Sequence, residues 1–173
     1  MAAILSVIER IVFLKQVTFF QGMTIDQLKG LATICEEELV PRGKVIFEEG
    51  APGGVFYIVV NGRVGIDRKG EHRNESVRLA TMGPYSSFGE MSLFNNYPRS
   101  ASALALEDTL ALKLKVKPLY ALMVLFPDMA LQLIKVLSLR MRETNEQLMQ
   151  VTRTKSSQMR NVYEKLKDLD TAE

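Results

Sequence analysis

The sequence predicts an α+β fold, mainly β: an antiparallel β-roll of the double-stranded β-helix or jelly-roll type, with helices at both ends. Three observations predict it. Apolar residues recur at helical spacing near the N-terminus and again after Pro118. Between them lie short β-rich runs about ten residues apart, separated by glycine turns. The 173 residues hold 47% hydrophobic and 24% charged side chains, enough apolar material for one packed domain with an appendage.

At the N-terminus Ile4, Leu5, Ile8, Ile11 and Val12 share one helical face. Thr24 and Gln27 have capping-box spacing, which starts a second helix with Ile25, Leu28, Leu31 and Ile34 inward. The texture changes at Pro41–Gly43. Lys44–Glu49 is β-rich, Gly50–Gly54 is a turn cluster and Val55–Val60 is an apolar strand. Asn61-Gly62 is a hairpin signal, since both residues tolerate the positive φ of a type I′ turn. Arg63–Asp67 alternates, Arg68–Ser76 forms a polar tip and Val77–Ala80 returns as a strand. Arg99–Leu106 reads as a strand. Thr109–Val116 has a clean period of two, with Leu110, Leu112, Leu114 and Val116 inward and Lys113 and Lys115 outward. Pro118 suits a helix start, with Leu119, Leu122, Met123 and Phe126 on one face, and Pro127-Asp128 breaks and recaps. From Met129, Leu133, Leu137, Met141, Thr144, Leu148 and Val151 repeat at alternating four and three, the seam of a homodimer of long helices. Beyond Val151 the charged tail either continues as helix through Val162 and Leu166 or frays. The chain therefore divides into an N-terminal helical segment (1–36), the roll (37–117), C-terminal helices (118–151) and a tail (152–173).

Composition excludes much chemistry. One cysteine, Cys35, permits no internal disulfide, Cys-rich zinc site or iron–sulfur cluster. It reads as a buried apolar residue, because no histidine partners it. One histidine, His72, falls in a polar run and reads as a solvated loop residue, which leaves no Ser-His-Asp or histidine-rich metal site. A net charge of +2 points neither to nor away from nucleic acid. No apolar run approaches the roughly 18 residues of a membrane span. Met1–Arg10 lacks the basic flank and cleavage site of an export signal, so a cytoplasmic setting and no membrane insertion are expected. No set of base, nucleophile and orienting group is present, so no catalytic residue, metal or cofactor is assigned and the chain reads as a non-enzyme.

The segment that carries chemistry is 88–103, which interrupts two strands. Phe88–Phe94 reads as a glycine followed by one or two helical turns. Glycine admits a ligand close to the backbone, and the first turn of a helix offers unpaired N–H groups to an anion. Arg99 can return along the next strand to face that start, its planar fork matched to two phosphate oxygens. Glu90 beside a phosphate is repelled unless it accepts from a hydroxyl on the same ligand. A ribose 2′-OH next to a cyclic 3′,5′-phosphate supplies that hydroxyl, so Gly89, Glu90, Arg99 and Ser100 together describe a ribose-phosphate cradle. Singly, Glu90 reads as a helix-start carboxylate, Arg99 as a surface cation and Ser100 as a strand serine. Tyr57 and Tyr97 read as packing aromatics.

Here the sequence resembles the cyclic-nucleotide-binding domain family, which includes the bacterial catabolite activator protein, the regulatory subunits of cyclic-AMP-dependent protein kinase and the cyclic-nucleotide-gated channels. The resemblance rests on Phe88-Gly89-Glu90 and Arg99-Ser100-Ala101 at the family's separation, with Gly43, Gly50, Tyr57-Ile58 and Gly62-Arg63-Val64 upstream. It covers about Phe13 to Leu148. It implies a sensor that binds a cyclic purine mononucleotide, cyclic AMP ahead of cyclic GMP, and moves its C-terminal helix. It implies that Gly89 and Met91 offer backbone N–H groups, that Glu90 holds the 2′-OH and that Arg99 pairs with the phosphate. Ser100 and Ala101 add a hydroxyl and an N–H, and Val64 and Leu79 wall the ribose and base. Thr144-Asn145 falls where the activator branch carries two adjacent hydroxyl residues on the base, and Asn145 departs from that pattern. Gly54 replaces a common acidic residue, and Ser92 a common alanine. The alternatives are a fold kept as a dimerisation module without its ligand, or a regulatory piece of a larger regulator, channel or transporter whose effector is unknown. Val151–Glu173 shows no helix-turn-helix signature, so this chain by itself is not expected to read DNA.

Overall fold

The fold is that of a computed structural model, which describes residues 5–70, 75–94 and 97–170, with the side chains of residues 147, 155–158 and 160–170 excepted. His72 and the tip around it, Ile4, and the side chains of Val162 and Leu166 lie outside what is described.

Capping boxes start both N-terminal helices. Ser6 and Glu9 open α1 (Val7–Leu14), and Thr24 and Gln27 open α2 (Ile25–Ile34). In each, the hydroxyl accepts the N–H three residues on, while the acidic or amide side chain accepts the cap's own N–H. The apolar face of α1 differs from its expected one. Leu14 is buried, whereas Ile8 and Val12 are exposed. What anchors α1 is Arg10, which donates to Leu5 O, Ala32 O and Cys35 O and pairs with Glu37 at 2.9 Å. The guanidinium thereby satisfies orphan carbonyls at the end of α2.

Eight strands follow: β1 (Glu36–Val40), β2 (Val45–Phe47), β3 (Val55–Asn61), β4 (Val64–Lys69), β5 (Ser76–Met82), β6 (Ser87–Phe88), β7 (Ser102–Ala105) and β8 (Thr109–Lys115). They form two four-stranded antiparallel sheets, ordered β1-β8-β3-β6 and β2-β7-β4-β5. This is the β-roll that the sequence predicts. Its interior is filled by Tyr57, Val59, Val64, Phe88, Ala103 and Ala111. Successive residues of a strand face opposite ways, so the other face of β3 and β8 carries Phe56, Ile58, Leu112 and Leu114. Phe19 and Phe20, on the short turn before α2, pack against Phe56, Phe19 tilted and Phe20 edge-on. β8 is therefore buried on both faces, and Ala111 faces the roll interior where a single-sided pattern was expected.

Asn61-Gly62 is not a hairpin. β3 pairs with β6 and β8, and β4 pairs with β5 and β7, so this turn carries the chain from one sheet to the other. Only Gly62 has positive φ, and Asn61 Oδ1 accepts from the Gly62 N–H, which rules out a type I′ turn. The true hairpin is β4–β5.

After the roll, α3 (Val116–Leu125) and α4 (Asp128–Asp170) are separated by Phe126-Pro127. Proline forces Phe126 out of the helical region, to φ −127 and ψ 75. The tail continues as helix to Asp170. Two compact units result, residues 1–133 and 134–173, with Leu133 in the core of the first. No helix among the described residues is long and apolar enough to cross a membrane.

Candidate functional site

The segment between β6 and β7 is built on Gly89. Its φ of +85 lies in the left-handed region and turns the chain out of β6. A single 3-10 turn follows, Glu90–Ser92, in place of the longer helix expected over Phe88–Phe94. Three residues carry no macrodipole of consequence. Positive charge at this site therefore comes from a side chain and not from a helix end.

That side chain is Arg99. It precedes β7, which starts at Ser102 and not at Arg99 as expected. Its backbone is fixed to the loop after β2, with Arg99 N donating to Ala51 O and Gly50 N to Arg99 O, both at 2.9 Å. The residue is only 5% exposed, and its guanidinium lies 4.0 Å over the Phe47 ring centroid. Nη1 donates to Gly89 O at 3.1 Å and to Ser92 Oγ at 3.0 Å, and Nη2 donates to Val55 O at 2.7 Å. Nε is buried and has no acceptor among the described residues. Burial pushes the Arg99 pKa below its ordinary value, with Tyr57 and Glu90 acting in the opposite direction. Arg99 has no ion pair within 4.0 Å among the described residues. The cation is held by carbonyl dipoles and an aromatic face, an arrangement that compensates desolvation only in part.

A guanidinium carries five N–H donors. Three are used on the protein, two from Nη1 and one from Nη2. The two left over, Nε–H and the second Nη2 proton, are a pair suited to two oxygens of one anion.

The cavity beside this arginine has a volume of about 110 Å³ and is lined by Phe47, Ile66, Met82, Phe88, Gly89, Glu90, Met91, Ser92, Arg99, Ser100 and Ala101. Six of the residues singled out in the sequence, Gly89, Glu90, Met91, Arg99, Ser100 and Ala101, are thus brought together around one space. Ser100 Oγ donates to Met91 Sδ at 3.5 Å, and Met91 is 66% exposed. The other four do not line it. Val64 is 0% exposed inside the roll core and does not line the cavity. Its place is taken by Ile66, on the same face of β4 one pleat along. Leu79 is 56% exposed on β5 and is not part of the lining, whereas Met82 of the same strand is. Thr144 and Asn145 lie exposed on the helix of the second unit, where Thr144 Oγ1 donates to Arg140 O at 2.9 Å.

Sequence reasoning missed Phe47, Ile66, Met82 and Ser92. Ile66 was visible as the partner of Val64 in an alternating strand, and Ser92 as a departure from alanine. Phe47 ends a three-residue strand with no pattern of its own, and its stacking against Tyr57 and Phe88 follows only from the closed roll.

Comparison with known proteins identifies the family and the fold. The profile of the cyclic nucleotide-binding domain matches residues 37–124. The CRP-like cAMP-activated global transcriptional regulator of Mycobacterium tuberculosis is 34% identical over 129 residues, 75% of this chain and 57% of that protein. The crystal structure of the Thermus thermophilus catabolite activator protein superposes with a TM-score of 0.70 at 34% identity, covering 78% of this chain and 63% of that one. The regulatory domain of Toxoplasma gondii PKA, crystallised with cAMP, gives a TM-score of 0.68 at 26% identity over 79% of this chain and 50% of that one. The chain spans little more than half the length of the curated regulators it matches. A β-roll of this topology, a glycine-led turn facing a buried arginine and a profile match over half the sequence make the chain a member of the cyclic nucleotide-binding domain family.

Proposed function

We propose that the chain is a non-enzymatic sensor that binds cyclic AMP in the cavity beside Arg99 and passes occupancy to its C-terminal helices. The observation that carries the reading is the donor count on Arg99: two N–H groups left over, with buried Nε finding no acceptor among the described residues. The cyclic phosphate of the ligand supplies both acceptors and the missing counter-charge in one step. Charge-assisted bonds of this kind contribute roughly 1.5–3 kcal/mol each.

The remaining roles follow from position. The Glu90 carboxylate takes the ribose 2′-OH. The N–H groups of Gly89, Met91 and Ala101, with the Ser100 hydroxyl, take phosphate oxygens, for which the hydroxyl must leave Met91 Sδ. Ile66, Met82 and Phe47 supply the apolar wall. A pocket of about 110 Å³ is below the usual range of roughly 300–1,000 Å³ for ligand sites. The ribose-phosphate is therefore the part it grips, while the base lies outside it, toward exposed Leu79 of β5. Cyclic AMP is preferred to cyclic GMP because the relatives at 34–36% identity are described as cAMP-activated or as a cyclic AMP receptor, against 28% for a cGMP-dependent kinase.

A ligand moves a helix only through unequal contact with two helix positions. The cavity-lining turn is one hydrogen-bonded step from the loop that holds the start of α3: Gly54 N donates to Ser92 O and Val116 N to Gly54 O, both at 2.9 Å. Homodimerisation through α4 completes the proposal. On its solvent side Met141, Leu148 and Val151 are exposed and Leu137 half-buried, at heptad spacing. Sequence-specific DNA binding is not expected of α4, which runs as one helix without a helix-turn-helix.

The decisive experiment is thermal shift with cyclic AMP, cyclic GMP and 5′-AMP. Cyclic AMP should raise the melting temperature in proportion to the logarithm of its concentration over its dissociation constant, and 5′-AMP should not. No shift with either cyclic nucleotide means the fold is kept as an interaction module.

A further inference from the structure

Ser92 has no role in the cradle above, yet its hydroxyl is buried and spent on the arginine. The residue is 2% exposed, and Oγ accepts from Arg99 Nη1 at 3.0 Å. Its carbonyl accepts the Gly54 N–H. The loop is pressed onto it so closely that a Cβ at Gly53 would fall 2.4 Å from Ser92 Cβ. Beside this contact lies a second cavity, of about 270 Å³, bounded by Gly53, Leu93, Phe94, Val116 and Tyr120. The loop, the turn and the start of α3 thus meet through the Ser92–Gly54–Val116 bonds, with unfilled space next to them.

We infer that Ser92 is a positioning residue for the anion site: its hydroxyl fixes the Nη1 end of Arg99 and so sets how the guanidinium is held beside the cavity, while its carbonyl ties the same turn to the loop that holds α3. The inference rests on Arg99 as the phosphate partner.

An arginine side chain has rotamer entropy to lose on being fixed. Three protein acceptors fix it before the ligand arrives, so binding need not do so. Alanine at position 92 leaves one Nη1 proton buried without an acceptor. The guanidinium then tilts to satisfy it, and is no longer held in the same way beside the cavity. The turn also loses the Ser92 hydroxyl bond to the arginine, so a change at Arg99 reaches Gly54 and Val116 less completely.

The test uses the full chain as wild type, Ser92→Ala and Ser92→Cys, the second variant keeping the side-chain volume with a weaker acceptor. Calorimetry with cyclic AMP should show both variants binding about tenfold more weakly, at melting temperatures close to wild type. Amide exchange should show that cyclic AMP slows the Gly54 and Val116 N–H groups in the wild type and slows them less in the variants. Without ligand, the Arg99 Nε–H resonance should be sharp in the wild type and broadened in both variants. Variants that bind like wild type, or whose Arg99 Nε–H stays as sharp as in the wild type, overturn the inference even if the cradle is right. A wild type that shows no binding overturns the cradle reading instead, and the Nε–H signal still decides whether Ser92 holds the arginine.

Discussion

Arg99 is a buried cation with no ion pair within 4.0 Å among the described residues, and two expectations follow at the scale of that residue. Arg99→Ala should weaken cyclic AMP binding at least a hundredfold, since several charge-assisted bonds vanish together. It should change stability far less, because the lost carbonyl bonds are offset by relief of desolvation, so melting and calorimetry on one sample should diverge. Gly89→Ala should affect both. Its φ of +85 strains any L side chain, and the new Cβ would stand 2.7 Å from Arg99 Nη1 and 3.1 Å from Val55 O. A loss of about 1–3 kcal/mol in denaturant unfolding, together with lost binding, is expected. Gly89, Glu90 and Arg99 stand out in the sequence because a glycine and an arginine suit an anion while the carboxylate beside them suits a hydroxyl on the same ligand. Val64 was misplaced because alternation gives the face of a strand and not the depth along the roll: Val64 and Ile66 share a face, and only the deeper one is core.

Among the elements, the capped helices and β8 were legible from local chemistry, whereas the strand partners were not. Asn61-Gly62 satisfies every local rule for a hairpin, yet β3 finds better partners in β6 and β8, where its two faces are both covered. The junction of α1, α2 and β1 depends on Arg10, which bridges three carbonyls and Glu37 with about 15% of its side chain exposed. Arg10→Ala should cost about 2–4 kcal/mol in denaturant unfolding, because the orphan carbonyls and a partly buried carboxylate lose their partner. Cys35 lies at the same junction, and burial pushes its thiol up to about 12, the Arg10 charge opposing this. It should resist alkylation at pH 8 in the native protein and react promptly once unfolded. On the surface, Lys115 and then Lys113 hold Glu36 below the ordinary carboxylate value across β1 and β8. A carboxylate depressed in the folded state stabilises above its unfolded pKa and ceases to do so as pH falls through the folded one. Unfolding at pH 4 should therefore need less denaturant than at pH 7, and Glu36→Gln should reduce the difference.

At the scale of the whole molecule, the heptad pattern made the long helix legible from sequence. Its seam begins at Leu137, because Leu133 is spent inside the first unit. Sedimentation should find a dimer, and a chain ending after Leu133 should sediment as a monomer while still melting cooperatively, since the cores of the roll lie within residues 1–133. The order of strands has a consequence of its own. β8 is the last strand made, and it sits between β1 and β3, the first and third. On the ribosome, β1 must wait without its partner strand, and one edge of β3 stays unpaired, until residue 115 has emerged. Refolding from denaturant should accordingly be slow for a protein of this size, and in the cell the nascent chain needs protection until that late strand arrives.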